Sequence, residues 1–150
     1  MATKVSVADI LERELEPTIK EWLRRVNLVP ALTDIPLSDA DRTGHLPKLY
    51  YDVISRLRLG KDAHPPISIA ALAHGQTRCA QGYSAGMRVE ESRAFQVTTF
   101  GTLHLHRFEL NQKEVLLDVI CHRGRDGRAT HGNREGPDGS ETSRDRSLGE

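Results

Sequence analysis

The chain lacks most of the marks by which a sequence announces its chemistry. Its two cysteines, Cys79 and Cys121, are too few for a disulfide framework. Cys79 lies in an alanine-rich stretch, where the expectation is a small buried or half-buried thiol. Charge of one sign is also missing: Lys+Arg and Asp+Glu both number 21. A broad nucleic-acid or anionic-membrane footprint needs a basic excess, so neither partner is expected. The longest apolar run, Ile67 to Ala73 broken by Ser68, is far short of the roughly 20 residues that span a bilayer. Met1-Ala2-Thr3-Lys4-Val5-Ser6 leads straight into charged amphipathic sequence without a secretory h-region. These absences describe a soluble cytoplasmic protein, and 150 residues give room for one domain with one core.

Catalytic signatures are equally scarce. There is no G-x-S-x-G, no glycine-rich phosphate loop after a strand, no convincing strand, and no base near Cys79 in sequence. Seven histidines invite a metal reading, but His104 and His106 point to different sides of a helix. His122 and His131 have one cysteine nearby, Cys121, and no zinc-site spacing. No metal and no cofactor is expected, and no enzyme.

What is present is helical periodicity. Ile10, Leu11, Leu15, Ile19, Trp22, Leu23 and Val26 recur at three and four, predicting a helix over 7–26 that Pro17 kinks or divides. Asn27 to Pro36 reads as a connector on the surface, and Ser38 caps a short turn ending near Thr43. The next helix starts near Leu46 with Pro47 in its first turn. Its stripe is Leu46, Leu49, Tyr50, Val53, Ile54 and Leu57, and Gly60 ends it. This stripe is expected to cover Trp22 with its Tyr50–Leu57 part.

Two further helices, 67–81 and 84 to about 108, are predicted to meet at a corner, with Gly82 left-handed and Ser84 capping the second. Met87, Ala94, Val97, Gly101, Leu105 and Phe108 form the apolar line of that second helix, and Gly101 is read as a point of close approach. Arg24, Arg25, Arg56 and Arg58 fall on exposed faces as solvated charges. The fold expected is an all-α bundle of about five helices, globin-like packing being one form of it.

The corner holds the ionisable groups of interest. His74 and Arg78, four apart, share a helix face. Arg78 pairs with Glu90 or Glu91; Glu91 sits on the face read as buried, where an unpaired carboxylate costs several kcal/mol. His74, Arg78 and Glu91 are therefore the candidate site. They form either a polar sensing pocket or a structural pair that fixes the corner.

The order His74, Gly75, Arg78, Gly82-Tyr83-Ser84, Glu91, Arg93 resembles the N-terminal domain of the RsbT co-antagonist RsbRD family. Leu15-Glu16-Pro17-Thr18-Ile19-Lys20-Glu21-Trp22 and Thr43-Gly44-His45-Leu46-Pro47-Lys48-Leu49 fit the same family, and the resemblance covers roughly Val7 to Ile120. It implies an all-helical input module of stress-response signal transduction, placed ahead of STAS, histidine-kinase or helix-turn-helix output domains. No output domain is expected within these 150 residues. The function expected is a regulatory sensor and protein–protein interaction module, with protein partners and a homodimer. Alternatives are a small-molecule or haem-binding sensor, with His74 or His104 as a haem ligand, and, less favoured, a helical enzyme.

Val115, Leu116, Val119 and Ile120 begin one more apolar segment, and then the composition breaks. Residues 121–150 contain one large aliphatic, Leu148, and six of the twelve glycines. Such a stretch cannot offset an ordering cost of roughly 1–2 kcal/mol per residue, so a disordered tail and an incomplete last helix are expected. A shift of reading frame near codon 121 is one hypothesis for the break. GC-rich codons for Cys121-His122-Arg123-Gly124-Arg125-Asp126-Gly127-Arg128, read one nucleotide later, can encode the helix former Ala-Thr-Glu-Ala-Ala-Thr-Ala-Glu. Early stops in the shifted frame of the gene would dismiss it.

Overall fold

The computed structural model describes residues 4–59 and 66–111, together with Val115. The tail 121–150, most of the segment 115–120, Gly60 and the 61–65 part of the proline loop lie outside the described residues, and so do the expectations placed on them.

The described fold is all-α. Five helices of seven residues or more carry it: α1 (Val7–Arg13), α2 (Leu15–Val26), α5 (Leu46–Arg58), α6 (Ile69–Ala80) and α7 (Ala85–Leu105). Two single turns, α3 (Pro30–Thr33) and α4 (Asp39–Thr43), link α2 to α5. The sole β feature among the described residues is a parallel bridge between Val5 and Leu110, where Val5 N–H donates to the Glu109 carbonyl at 3.0 Å.

Helix boundaries follow local chemistry. Ser6, Ser38, Ser68 and Ser84 each accept a hydrogen bond from the backbone N–H three residues on, removing an orphan donor of the first turn. Gly82 takes φ 88°, a conformation open to glycine without Cβ strain, and this turns α6 into α7. The first helix is divided as expected, but at Glu14 rather than at Pro17. Pro17 falls in the first turn of α2, where its missing N–H has no intrahelical partner to lose.

Two apolar clusters form the core. Val7, Ala8, Ile10 and Leu11 of α1 pack with Ile54 of α5, Leu103 of α7 and Leu110. Trp22 and Val26 of α2 pack with Leu32, Leu46 and Tyr83. Trp22 is fully buried, as its place on the stripe of α2 requires. Its neighbours on α5 differ from expectation: they are Leu46 and Leu49 of the first turn. Val53, Ile54 and Leu57 serve α1 instead.

Three other expectations are corrected. The 27–36 connector is not purely superficial, because Leu32 is fully buried under α2. Cys79 is exposed, since α6 touches the core through one side and Cys79 falls on another. The apolar line of α7 is out of phase: Leu105 and Phe108 are 75% and 82% exposed, and nothing comes within 4 Å of a Cβ built at Gly101. The buried positions are Glu91, Thr98, Thr102 and Leu103. Hydroxyls meet across the interface at Thr102, 2.9 Å from Thr18, and at half-buried Thr99, 3.1 Å from Tyr50, while the Thr98 hydroxyl is buried without a partner.

The surface arginines are tied rather than free. Arg56 pairs with Asp52 at 2.8 Å, Arg24 and Arg25 with Glu21, and Arg58 with Asp9 and Glu12 of α1. Exposed pairs of this kind contribute about 0–1 kcal/mol each, and they fix orientation more than stability.

Candidate functional site

Arg78 is the centre of the site. It is the single buried residue of α6 and has no accessible surface. A charge in that position needs a complete set of acceptors, and the fold supplies one from four elements. Nε donates to both oxygens of Glu91 at 2.9 and 3.0 Å, and a terminal nitrogen stands 2.7 Å from Oε1. The other contacts are the Gln81 amide oxygen at 2.7 Å and the Arg42 carbonyl at 2.7 Å. A longer approach to the Asp41 carbonyl, 3.4 Å, and one to His45 Nε2, 3.3 Å, complete the shell. The Tyr83 ring lies 4.9 Å from the guanidinium carbon as a cation–π neighbour.

The geometry thus brings all three predicted residues together. His74 Nε2 is 3.1 Å from Glu91 Oε2, one turn before Arg78 on α6. Of the two acidic candidates, Glu91 is the partner; Glu90 is exposed. Burial alone would raise the Glu91 pKa, but hydrogen bonds from His74 and Arg78 outweigh it and hold the carboxyl below its ordinary value. The carboxylate is therefore ionised, and the buried charge is compensated.

Two members of the site escaped sequence reading. His45 caps the start of α5, and its ring stacks on His74 with centroids 4.0 Å apart. It reaches this place because α4 runs into α5 through Gly44, where a Cβ would meet the Ala40 carbonyl at 2.9 Å. Thr43-Gly44-His45 carried that signal only as a family likeness. Arg42, also buried, donates to the Leu32 carbonyl at 3.0 Å, the Ile35 carbonyl at 2.6 Å and the Tyr83 hydroxyl at 3.3 Å. It staples the α2–α5 connection beneath the α6–α7 corner, and no local pattern in sequence marks it.

Ligand atoms of His45, His74 and Glu91 lie within 4.8 Å of one another, two imidazoles and a carboxylate of the kind transition metals take. Arg78 argues against an ion there. Two unit charges 4 Å apart at a partly shielded site repel by about 4 kcal/mol, and a divalent ion doubles that. The guanidinium already takes the cation's place on Glu91 and His45. Haem fares no better, because His74 Nε2 is committed to Glu91 and His104 is exposed.

His45 makes the site acid-sensitive. Burial first, then the neighbouring His74 and Arg78, pull its pKa from 6.5 down to about 4, against a smaller opposing pull from Glu91. The folded state thus prefers neutral His45, while the unfolded chain takes up a proton below pH 6.5. Stability is expected to be undiminished by this residue above pH 6.5 and to fall as pH drops from 6.5 toward 4. His45→Gln keeps an acceptor for Arg78 and cannot titrate. Urea melts of the variant across that window should show a flatter pH dependence than the native chain; equal slopes would contradict the assignment.

Among the described residues no helix is long and apolar enough to cross a membrane. No protein-family model, curated protein or solved structure matches this chain.

Proposed function

We propose that the chain is a regulatory input module of the type its sequence resembles, the RsbT co-antagonist N-terminal domain. On this reading it acts in stress-response signal transduction in the cytoplasm, through protein–protein contact and as a homodimer. It has no catalysis of its own and no nucleic-acid or membrane partner. The Arg78–Glu91–His74 cluster serves as the structural lock of the corner.

The observation that carries the reading is the outward face of α7. Val89, Val97 and Phe100 are 65%, 44% and 53% exposed, on the side opposite Glu91, Thr98 and Thr102. Together with exposed Arg93, Gln96 and His104 they form one stripe. The spacing of this stripe reads the same in both chain directions, about a centre between Gln96 and Val97. An antiparallel copy therefore sets Val89 against the partner's His104 and Arg93 over the partner's Phe100, a self-complementary pairing of the two-fold kind. Second copies of the chain fit this face better than an unrelated helix, because the register closes on itself.

Sedimentation velocity over a concentration series tests the reading. The native chain should dimerise, and Phe100→Glu should be monomeric with unchanged helicity, since Phe100 supports no core contact. A chain that stays monomeric at its solubility limit would refute the homodimer. A dimer that survives Phe100→Glu would move the contact elsewhere, with exposed Ile69 and Leu72 of α6 the next apolar face.

A further inference from the structure

Four ionisable side chains meet where α7 ends beside α1. His106 caps α7, its backbone N–H donating to the Thr102 carbonyl at 3.3 Å. Just beyond it, Val5 N–H donates to the Glu109 carbonyl and Leu110 enters the apolar cluster built on α1. Glu14 stands at the junction of α1 and α2, ending one helix and starting the other. Arg13 joins the two sides. Its Nε donates to Glu14 at 2.9 Å and its terminal nitrogens to the two oxygens of Glu109 at 2.9 and 3.2 Å.

The His106 ring is held between the two carboxylates. Nδ1 is 2.7 Å from Glu109 Oε1, and Nε2 is 3.6 Å from Glu14 Oε1. An ionised carboxylate only accepts, so the short contact requires a hydrogen on Nδ1, and a hydrogen on Nε2 suits the longer one. A neutral ring has one hydrogen for two places. On Nε2 it sets a bare lone pair against Glu109, and on Nδ1 it sets one toward Glu14. The imidazolium serves both. One terminal nitrogen of Arg13 also lies 3.1 Å from Nδ1, but it already donates to Glu109 and does not need the ring as an acceptor. Charge points the same way: Arg13 matches one of the two carboxylates, and a protonated His106 matches the other. Arg107, the nearest further charge in sequence, turns instead to the His104 carbonyl and the Phe108 ring. Glu109 is held below the ordinary carboxylate range by Arg13 first and His106 second.

We propose that His106 is a proton-operated clasp between the end of α7 and the α1–α2 junction, closed by the imidazolium and loosened by the neutral ring. A proton from solvent adds to the ring's one free lone pair and completes the second hydrogen bond. Its release leaves that lone pair facing a carboxylate. The stretch from His106 to Leu110 carries the bridge to Val5, so the state of the ring sets how firmly this strap lies on α1. The groups are part-exposed, and the device acts on the strap by local opening rather than on the whole fold. Dimerisation through the α7 stripe is a separate matter, on which sedimentation alone bears.

Exchange of the Val5 amide hydrogen reads the clasp, because its acceptor is the Glu109 carbonyl. Rates are measured by NMR on the full chain at about pH 5.5 and about pH 7.5, toward the two ends of histidine's switching range. Division by the rate of an unstructured chain at the same pH leaves protection alone. Native protection should be at least about twofold greater at the acid end. His106→Gln cannot titrate and should show no such difference. Glu14→Gln offers Nε2 of the neutral ring an amide donor, and should lose the pH dependence likewise. His45 is present in all three chains, so its own acid sensitivity cancels. A native ratio below that, or greater protection at the alkaline end, overturns the clasp. A ratio unchanged in either variant overturns it as well.

Discussion

Arg78→Ala is expected to lower the free energy of unfolding by about 3–5 kcal/mol, the cost of breaking a buried ion pair from one side. The loss exceeds the value of the contacts, because Glu91 stays behind at 3% exposure with only His74 beside it. The carbonyls of Asp41 and Arg42 lose their donor, and α6 loses its single buried residue. A domain of this size has only about 5–15 kcal/mol to lose, so the variant sits near the edge of folding. Arg78→Lys should recover little, since an ammonium cannot serve the carboxylate, Gln81 and two carbonyls from one planar fork. The double variant Arg78→Met, Glu91→Leu should recover much of the loss, because it removes both charges and keeps apolar volume. Urea denaturation of the native chain, Arg78→Met, Glu91→Leu and the double variant forms a cycle that isolates the pair. A single Arg78→Ala loss under about 0.5 kcal/mol, the range of ordinary surface substitutions, would show that the cluster locks nothing.

Trp22→Ala is expected to cost about 3–5 kcal/mol, as truncation of a fully buried aromatic does. Its ring joins Val26 and Leu32 to Leu46 and Tyr83, so the void it leaves lies between α2, α5 and the α6–α7 corner. Existing space beneath α6 makes collapse onto the void harder, since Ala71 and Ser68 have no reach to fill it. Trp22→Phe should cost markedly less, because the indole nitrogen makes no hydrogen bond to lose. Melts of the two variants separate packing from hydrogen bonding. Equal losses would mean that the indole N–H has a partner.

Three parts of the molecule show where reading by sequence works. The caps at Ser38 and Ser84 and the turn at Gly82 were legible because a cap is a contact within three residues, set by backbone geometry and side-chain length alone. The Arg78–Glu91 pair was legible because two helices joined by a tight corner bring the last turn of one beside the second turn of the next. The burial phase of α7 was not. Its apolar residues are spread around the helix, and the inward face was chosen by hydroxyl pairs with Thr18 and Tyr50, 84 and 49 residues away.

The sequence by itself determined the all-α class, the caps at Ser38 and Ser84, the burial of Trp22 and the meeting of His74, Arg78 and Glu91. Each of these rests on periodicity or on contacts short along the chain. Only the tertiary structure decided that His45 stacks on His74, that Arg42 binds the α2–α5 connection from below, and that Cys79 faces outward. It also decided that short side chains on α6 leave a cavity over Trp22. The reason is that burial and enclosure are properties of several elements at once. A side chain's own pattern states what it can do, and its neighbours from distant segments determine whether water, another residue or a ligand meets it.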